Sequence, residues 1–223
     1  MLFSHCRGLA LGILAFVVSA SPTLGANYSI DIAHSSVGFS VRHLVSRTTG
    51  RFTDFKGKIF YDEANPGASM VNATIQIASI DTDNERRDNH LRSADFFDAE
   101  KYPEMTFVSS KVEKKGETLM VTGDLTLHGV THQVVLPVEV LGVGVHPMTK
   151  AAVAGFQVEL TLNRSNFGVN SWTDAAGILG DEVRVSLLVE AAADSGNPCN
   201  ACNPCGENPC KPCAKNPCNP CGE

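Results

Sequence analysis

The chain has 223 residues, 43% of them hydrophobic, and a formal net charge of −6 at pH 7. This length suits one large all-β domain or two small ones. The acidic balance, without a polybasic segment, argues against a nucleic-acid-binding protein.

The N-terminal segment has the features of a secretory signal peptide. Arg7 precedes an apolar run at residues 9–20, and small residues suited to processing follow it. The run is shorter than the roughly 20 residues that a membrane span needs. We therefore predict a signal peptide over residues 1–26, cleaved after Ala26, with cleavage after Ala20 as the alternative, and export of the mature protein.

From residue 28 to residue 192 the dominant hydrophobic period is two, which is typical of strands with one apolar face. Eight segments carry it, with Gly, Asn, Asp and Pro turn signals between them: 37–41, 55–61, 71–77, 104–112, 118–127, 132–142, 156–162 and 183–189. Eight antiparallel strands suit a closed barrel, which has no free edges. We predict an all-β fold, an eight-stranded antiparallel barrel over residues 27–193. Periodicity alone does not decide whether its interior is filled or holds a ligand.

One polar stretch, residues 83–92, interrupts the strand pattern. It lacks β-branched residues and follows good capping residues, which predicts a short helix that starts near Asp83. Leu91, Phe96 and Phe97 come close behind as apolar plugs. We expect this helix and its aromatic residues to form a lid or end-cap of the barrel.

The opening run at residues 28–44, YSIDIAHSSVGFSVRHL, resembles the start of the YceI-like family. The segment at residues 121–131, VTGDLTLHGVT, is similar to the most recognisable motif of that family. Further matches follow in register at residues 87–91, 102–107 and 163–169. The resemblance covers nearly all of residues 28–192.

Membership of this family implies an extended, lipocalin-like barrel with an elongated pore. It also implies a periplasmic location and an isoprenoid ligand such as a quinone tail or a polyprenyl phosphate. The candidate pocket residues are the apolar members of the alternating strands, and core packing is the alternative for each: Phe39, Val41, Ile75, Ile77, Phe107, Leu125, Val138, Phe156, Leu160, Val185 and Leu187. We place Arg42, Arg87 and Arg164 near a polar mouth, because a guanidinium can pair with a phosphate or quinone oxygen.

No arrangement for catalysis stands out in the domain. Asp88 and His90 are two apart in the predicted helix, so they point in different directions. No Ser-His-Asp order, phosphate loop or metalloprotease motif occurs. We predict a binding protein that is not an enzyme and requires no cofactor.

Residues 194–223 form a different, low-complexity segment of Asn-Pro-Cys repeats. It has almost nothing apolar to bury, so we predict a disordered tail. Its seven cysteines are suited either to disulfides, which between chains would give a homodimer, or to a soft metal such as zinc or copper(I): Cys199, Cys202, Cys205, Cys210, Cys213, Cys218 and Cys221. A second hypothesis is therefore an envelope protein that buffers metal or redox state, or binds envelope partners, through this tail.

Overall fold

A computed structural model describes residues 25–172 and 177–194. The predicted signal peptide lies almost entirely outside these residues, and the cysteine repeats lie entirely outside them. The described chain contains one α-helix, α1 (Glu85–Arg92), and these strands: β1 (Ala26–Ile30), β2 (Ser36–His43), β3 (Ser46–Phe52), β4 (Phe55–Tyr61), β5 (Met70–Gln76), β6 (Ile80–Asp81), β7 (Glu104–Lys115), β8 (Thr118–Leu127), β9 (Val130–Val145), β10 (Ala152–Asn163) and β11 (Leu179–Ala193).

The strands close into an antiparallel barrel of eight. Hydrogen bonding runs in the order β1-β4-β5-β7-β8-β9-β10-β11, and β1 pairs back onto β11. The remaining strands extend this ring, since β2 pairs with β11, β3 with β2, and β6 with β3. The pairs β1/β2, β3/β4 and β5/β6 each act as one bent strand. The prediction of an all-β, closed, eight-stranded antiparallel barrel is confirmed.

Strand β3 is absent from the segments that the hydrophobic period predicts. Its inward positions include Thr48 and Gly50, which are too small or too polar to produce an apolar alternation. Gly50 is required here because a Cβ would overlap the ring of Phe39 and lie 2.7 Å from Cγ2 of Thr82. The small residue on β3 thus makes room for a large one on β2.

The predicted helix exists and begins two residues later than Asp83. Asp83 takes a left-handed conformation (φ 58°), and the Asn84 side chain caps the helix by accepting from the Arg87 N–H at 3.0 Å. Leu91 on the last turn of the helix and Phe97 after it pack against the barrel core, and Phe96 is buried. Within the described residues no helix is both long enough and apolar enough to cross a bilayer.

Both ends of the described barrel lie at the same pole. The Asp194 N–H donates to the carbonyl of Asn27 at 2.9 Å. The Asp194 carboxylate accepts from the Ser29 hydroxyl and from Lys58 Nζ at 2.9 Å. We call Ser29, Lys58 and Asp194 the end clasp, because they join β1, β4 and the end of β11. The hydrogen bond from Ser29, followed by that from Lys58, holds the pKa of Asp194 below its usual value.

Candidate functional site

The barrel interior contains two adjoining cavities. The deep chamber has a volume of about 200 Å³ and the helix-side chamber about 280 Å³. Together they fall within the roughly 300 to 1,000 Å³ of small-molecule sites. Five apolar side chains line both chambers and form a waist between them: Phe39, Phe52, Met105, Leu162 and Val185.

The deep chamber is space that the protein's own side chains do not fill. Val138, Leu160 and Leu187 point inward, yet they are only partly buried, because they face the cavity. Tight packing is found instead at places such as the edge-to-face contact of Tyr61 with Phe156, whose ring centroids are 5.5 Å apart. Among the described residues, no polar atom contributes accessible surface to the wall of this chamber. The barrel therefore encloses an apolar void.

The structure brings most of the predicted pocket residues together. Nine line the deep chamber: Phe39, Ile75, Phe107, Leu125, Val138, Phe156, Leu160, Val185 and Leu187. Val41 lines the helix-side chamber. Ile77 lines neither, because it belongs to the 3-10 turn Ile77–Ser79 between β5 and β6, where it is 1% exposed in the core. Ligand binding by these side chains stays a prediction.

Several lining residues were not among the candidates. Phe55 and Ile59 line the deep chamber from β4, and the same two-residue period marks them. Phe167, Val169 and Trp172 line the helix-side chamber from a 3-10 turn and a loop, where no period exists. The strand residues were therefore detectable from the sequence, whereas the loop residues were not.

The helix-side chamber differs from the deep chamber in carrying polar groups. Six of its lining residues are polar, and none is a carboxylate: His43, Thr48, Thr82, Arg87, His90 and Arg164. Arg87 donates from Nε to the Thr82 hydroxyl at 2.7 Å and from Nη2 to the Thr82 carbonyl at 2.6 Å. Trp172, which is 51% exposed, packs edge-on against His90 with ring centroids 5.6 Å apart. This chamber is therefore the end of the cavity where polar side chains interrupt a mostly apolar wall and Trp172 reaches solvent.

Arg164 is buried at this end, with only 7% of the residue exposed. Its Nε donates to the Gly180 carbonyl at 2.9 Å, and its Nη1 donates to the carbonyls of Val169 and Ser171, both at 2.8 Å. Its Nη2 is buried without a hydrogen-bond partner. Burial lowers the pKa of the Arg164 guanidinium, and the charge of Asp181 partly opposes that effect.

Arg42 lies outside both chambers, unlike the other two predicted mouth residues. It is exposed on β2, where its Nη1 donates to the carbonyls of Leu44 at 3.2 Å and Gly177 at 3.0 Å. Because backbone carbonyls hold this guanidinium on the outer surface, it does not line the cavity. The structure thus brings Arg87 and Arg164 together and leaves Arg42 apart.

A possible metal-ligand set among the described residues lies away from the cavity. Ligand atoms of Asp31, His34 and Glu190 all lie within 4.8 Å of one another. The hydrogen bond between His34 Nδ1 and Asp31 Oδ2, at 2.9 Å, raises the pKa of His34 and lowers that of Asp31. An ordinary ion pair accounts for this proximity. The seven tail cysteines lie outside the described residues.

These features define a closed β-barrel that encloses an apolar cavity, with cationic side chains at one end. The model of the YceI-like domain matches residues 28–191, and the chain belongs to this family. Protein YceI of Escherichia coli is 41% identical over 185 residues, which cover 82% of this chain and 95% of that protein.

Solved structures of similar proteins share the fold. Burkholderia cenocepacia BcnA aligns with a TM-score of 0.67 and 30% identity, covering 72% of this chain and 98% of that one. A polyisoprenoid-binding domain from Saccharophagus degradans aligns with a TM-score of 0.56 over 75% of this chain and 98% of that domain. At 18% identity, that second likeness shows the fold alone.

Proposed function

We propose that this protein binds a long isoprenoid lipid inside its barrel and carries or sequesters it in the cell envelope, as a periplasmic or secreted protein. The observation that carries the proposal is the deep chamber, an unfilled space whose accessible wall is apolar. A polar ligand would lose its hydrogen bonds there without replacement, at a cost of about 1 to 3 kcal/mol for each group. A hydrocarbon tail has no hydrogen bonds to lose, and the burial of its apolar surface is favourable.

The size of that gain favours a long tail. Burial of a methylene is worth about 0.8 kcal/mol, so a five-carbon isoprene unit contributes about 3 to 4 kcal/mol before costs. Ordering the tail and fixing the ligand offset part of this gain. Noncovalent affinity reaches a practical limit near 18 to 21 kcal/mol, so only a few units need be fully buried for tight binding. The binding domain from Saccharophagus degradans, whose ligand class is polyisoprenoid, supports the same choice of ligand.

We propose binding without catalysis and without a required cofactor. Two groups beside the helix-side chamber that could act as acid or base are already engaged. Asp88 Oδ1 accepts from the Thr82 N–H at 3.0 Å and from the Thr82 hydroxyl. His90 Nε2 lies 3.1 Å from Asp95 Oδ2. These contacts order the segment around α1, which is a structural use of both side chains.

Native mass spectrometry of protein purified from cells with intact membranes tests the proposal. We expect a bound apolar mass of several hundred daltons or more, and organic extraction should identify it as an isoprenoid. Fractionation of the same cells before purification should recover the protein from the envelope or the medium. Repeated recovery of an empty barrel that also fails to take up added isoprenoid would reject the proposal.

The seven tail cysteines favour a second candidate function, the buffering of soft metals or of redox state. Their C-x-x-C spacing lets one short loop bring two thiolates to one ion. Titration of the reduced protein with zinc or copper(I) should show uptake by the full chain and none by a chain that ends at Asp194. Equal uptake by both forms would reject this function and leave the lipid proposal untouched.

A further inference from the structure

Arg164 presents a buried positive charge that lacks an acidic partner among the described residues. All three of its hydrogen-bond acceptors are neutral backbone carbonyls. The carboxylate of Asp181 accepts instead from the N–H and the hydroxyl of Ser165, at 2.9 and 2.7 Å. No ion pair in the described part of the chain includes Arg164. A buried cation that forms no ion pair is costly, so its presence calls for an explanation.

One edge of this guanidinium is left without a partner. Backbone carbonyls fix Nε and Nη1, whereas Nη2 is buried and donates to no atom of the protein. The guanidinium is therefore held rigidly, and both N–H groups of Nη2 are unused. Arginine keeps its charge in such an environment, so an acceptor supplied from outside would gain a charge-assisted hydrogen bond.

The surroundings of Arg164 match a negative ligand group rather than a positive one. The helix-side chamber contains a second guanidinium, that of Arg87, together with His43 and His90. None of its described lining residues is a carboxylate. The adjoining deep chamber, which shares the five waist residues, presents only apolar surface. The cavity is thus complementary to a molecule with an apolar tail and an acidic head.

We propose that Arg164 Nη2 binds an acidic oxygen of the lipid head group, so that the ligand of this barrel is an anionic isoprenoid, a phosphate or a carboxylate, rather than a neutral quinone or alcohol. The inference rests on the proposed lipid-binding function and names the ligand's head group. The head group lies in the helix-side chamber and the tail passes the waist into the deep chamber.

Four ligands that share the geranylgeranyl tail separate the head-group classes: the monophosphate, the carboxylic acid, the alcohol and the menaquinone. Trp172 is the only tryptophan of the chain and lines the helix-side chamber, so its fluorescence reports binding directly. We expect the phosphate and the acid to bind at least about tenfold more tightly than the alcohol and the quinone. Inorganic phosphate alone should not displace the alcohol.

Arg164→Gln should reduce the advantage of the two acids over the alcohol to about twofold or less, while its affinity for the alcohol changes by less than about threefold. Arg47→Gln is the matched control. Arg47 is an exposed arginine on β3 that bonds Ser40, outside both chambers, and its loss should leave the advantage unchanged. An undiminished advantage in Arg164→Gln would overturn the proposal, as would inorganic phosphate binding as tightly as the phosphate lipid.

If Arg164→Gln does not fold, the wild-type protein still decides the question through its salt dependence. A buried pair is screened little by salt, so the preference for the acids should persist from about 0.05 to 0.5 M salt. Its disappearance at high salt would place the acid on exposed cations and overturn the proposal. Equal affinity for all four ligands rejects only the head-group inference, whereas failure of all four to bind rejects the lipid-binding function itself.

Discussion

The two chambers of the barrel differ in the elements that build them. The deep chamber is lined by strand residues at alternate positions, which all face the barrel interior. Its accessible wall is therefore apolar. The helix-side chamber draws also on α1, the loop after it and the segment around Phe167, which supply its two arginines, His90 and Trp172, whereas His43 ends strand β2. The strands thus provide a space for hydrocarbon, and the helix and loops provide most of the polar groups that can discriminate between ligands.

A charge in the deep chamber should have the largest effect. Leu187→Glu places a carboxylate on the apolar wall, where it finds no partner, so we expect a loss of about 3 kcal/mol in the free energy of unfolding and no lipid binding. Leu188 is the next residue on the same strand and is 44% exposed on the outer face. Leu188→Glu should change stability by less than about 0.5 kcal/mol and retain binding. Urea unfolding and lipid uptake measure both, and similar losses in the two variants would contradict an apolar interior.

In the helix-side chamber, the test substitution removes the hydroxyl of Thr82. Thr82 is 4% exposed, and its hydroxyl bonds both Arg87 Nε and Asp88 Oδ1. Thr82→Val removes the hydroxyl partner of Arg87 Nε and leaves Asp88 Oδ1 with the Thr82 N–H as its donor, so we expect a loss of about 2 kcal/mol in the free energy of unfolding. Thr49, which is exposed on β3, provides a control, since Thr49→Val should cost less than about 0.5 kcal/mol. Thermal unfolding measures the difference, and a stable Thr82→Val protein would show that this hydroxyl is dispensable.

A narrower waist should weaken the binding of long lipids more than that of short ones. Gly50→Ala pushes the ring of Phe39, one of the waist residues, out of its place. We expect about tenfold weaker binding of an isoprenoid long enough to pass the waist, with a smaller change for a short one, because overpacking costs about 1 to 3 kcal/mol. Gly144→Ala is the control, because a Cβ at Gly144 meets nothing within 4 Å. Equal weakening for long and short lipids would argue against passage through the waist.

The end clasp lies outside both chambers, and its loss should have the smallest effect. The lowered pKa of Asp194 means that its stabilisation is present above the unfolded-state value, near 3.8, and is lost as the pH falls through the folded-state value. Asp194→Asn should therefore cost up to about 1 kcal/mol at pH 7 and nothing near pH 2. Urea unfolding at both pH values checks this, with Glu117→Gln as a control on an exposed turn. A difference that persists at low pH would show that the carboxylate charge is not what stabilises the clasp.

The sequence predicts the barrel well, because strands that are apolar on one side follow a single period. The same logic fails where the chain needs something other than alternation. Strand β3 is not detected because its inward positions include Thr48 and Gly50, and Gly50 makes room for Phe39. Ile77 continues the alternation of β5 in sequence, yet the chain turns at that residue, and its side chain enters the core instead of the cavity.

Arginines show the corresponding limit for the site. The sequence alone offers no way to rank Arg42, Arg87 and Arg164 as residues of a polar mouth. Their positions depend on backbone carbonyls distant in the chain, such as those of Gly177 for Arg42 and Gly180 for Arg164. No local pattern encodes those contacts, so the sequence could name the candidates but could not predict which ones face the cavity.

The location of both domain ends at one pole has a practical consequence. Asn27 and Asp194 are hydrogen-bonded to each other beside the end clasp. At the other end of β11, its first residue, Leu179, lines the helix-side chamber. An anchor, fusion partner or resin attached through either end would hold the molecule by its base and leave the opposite pole facing outward. Immobilised protein should therefore exchange the proposed isoprenoid ligand with vesicles as readily as protein free in solution.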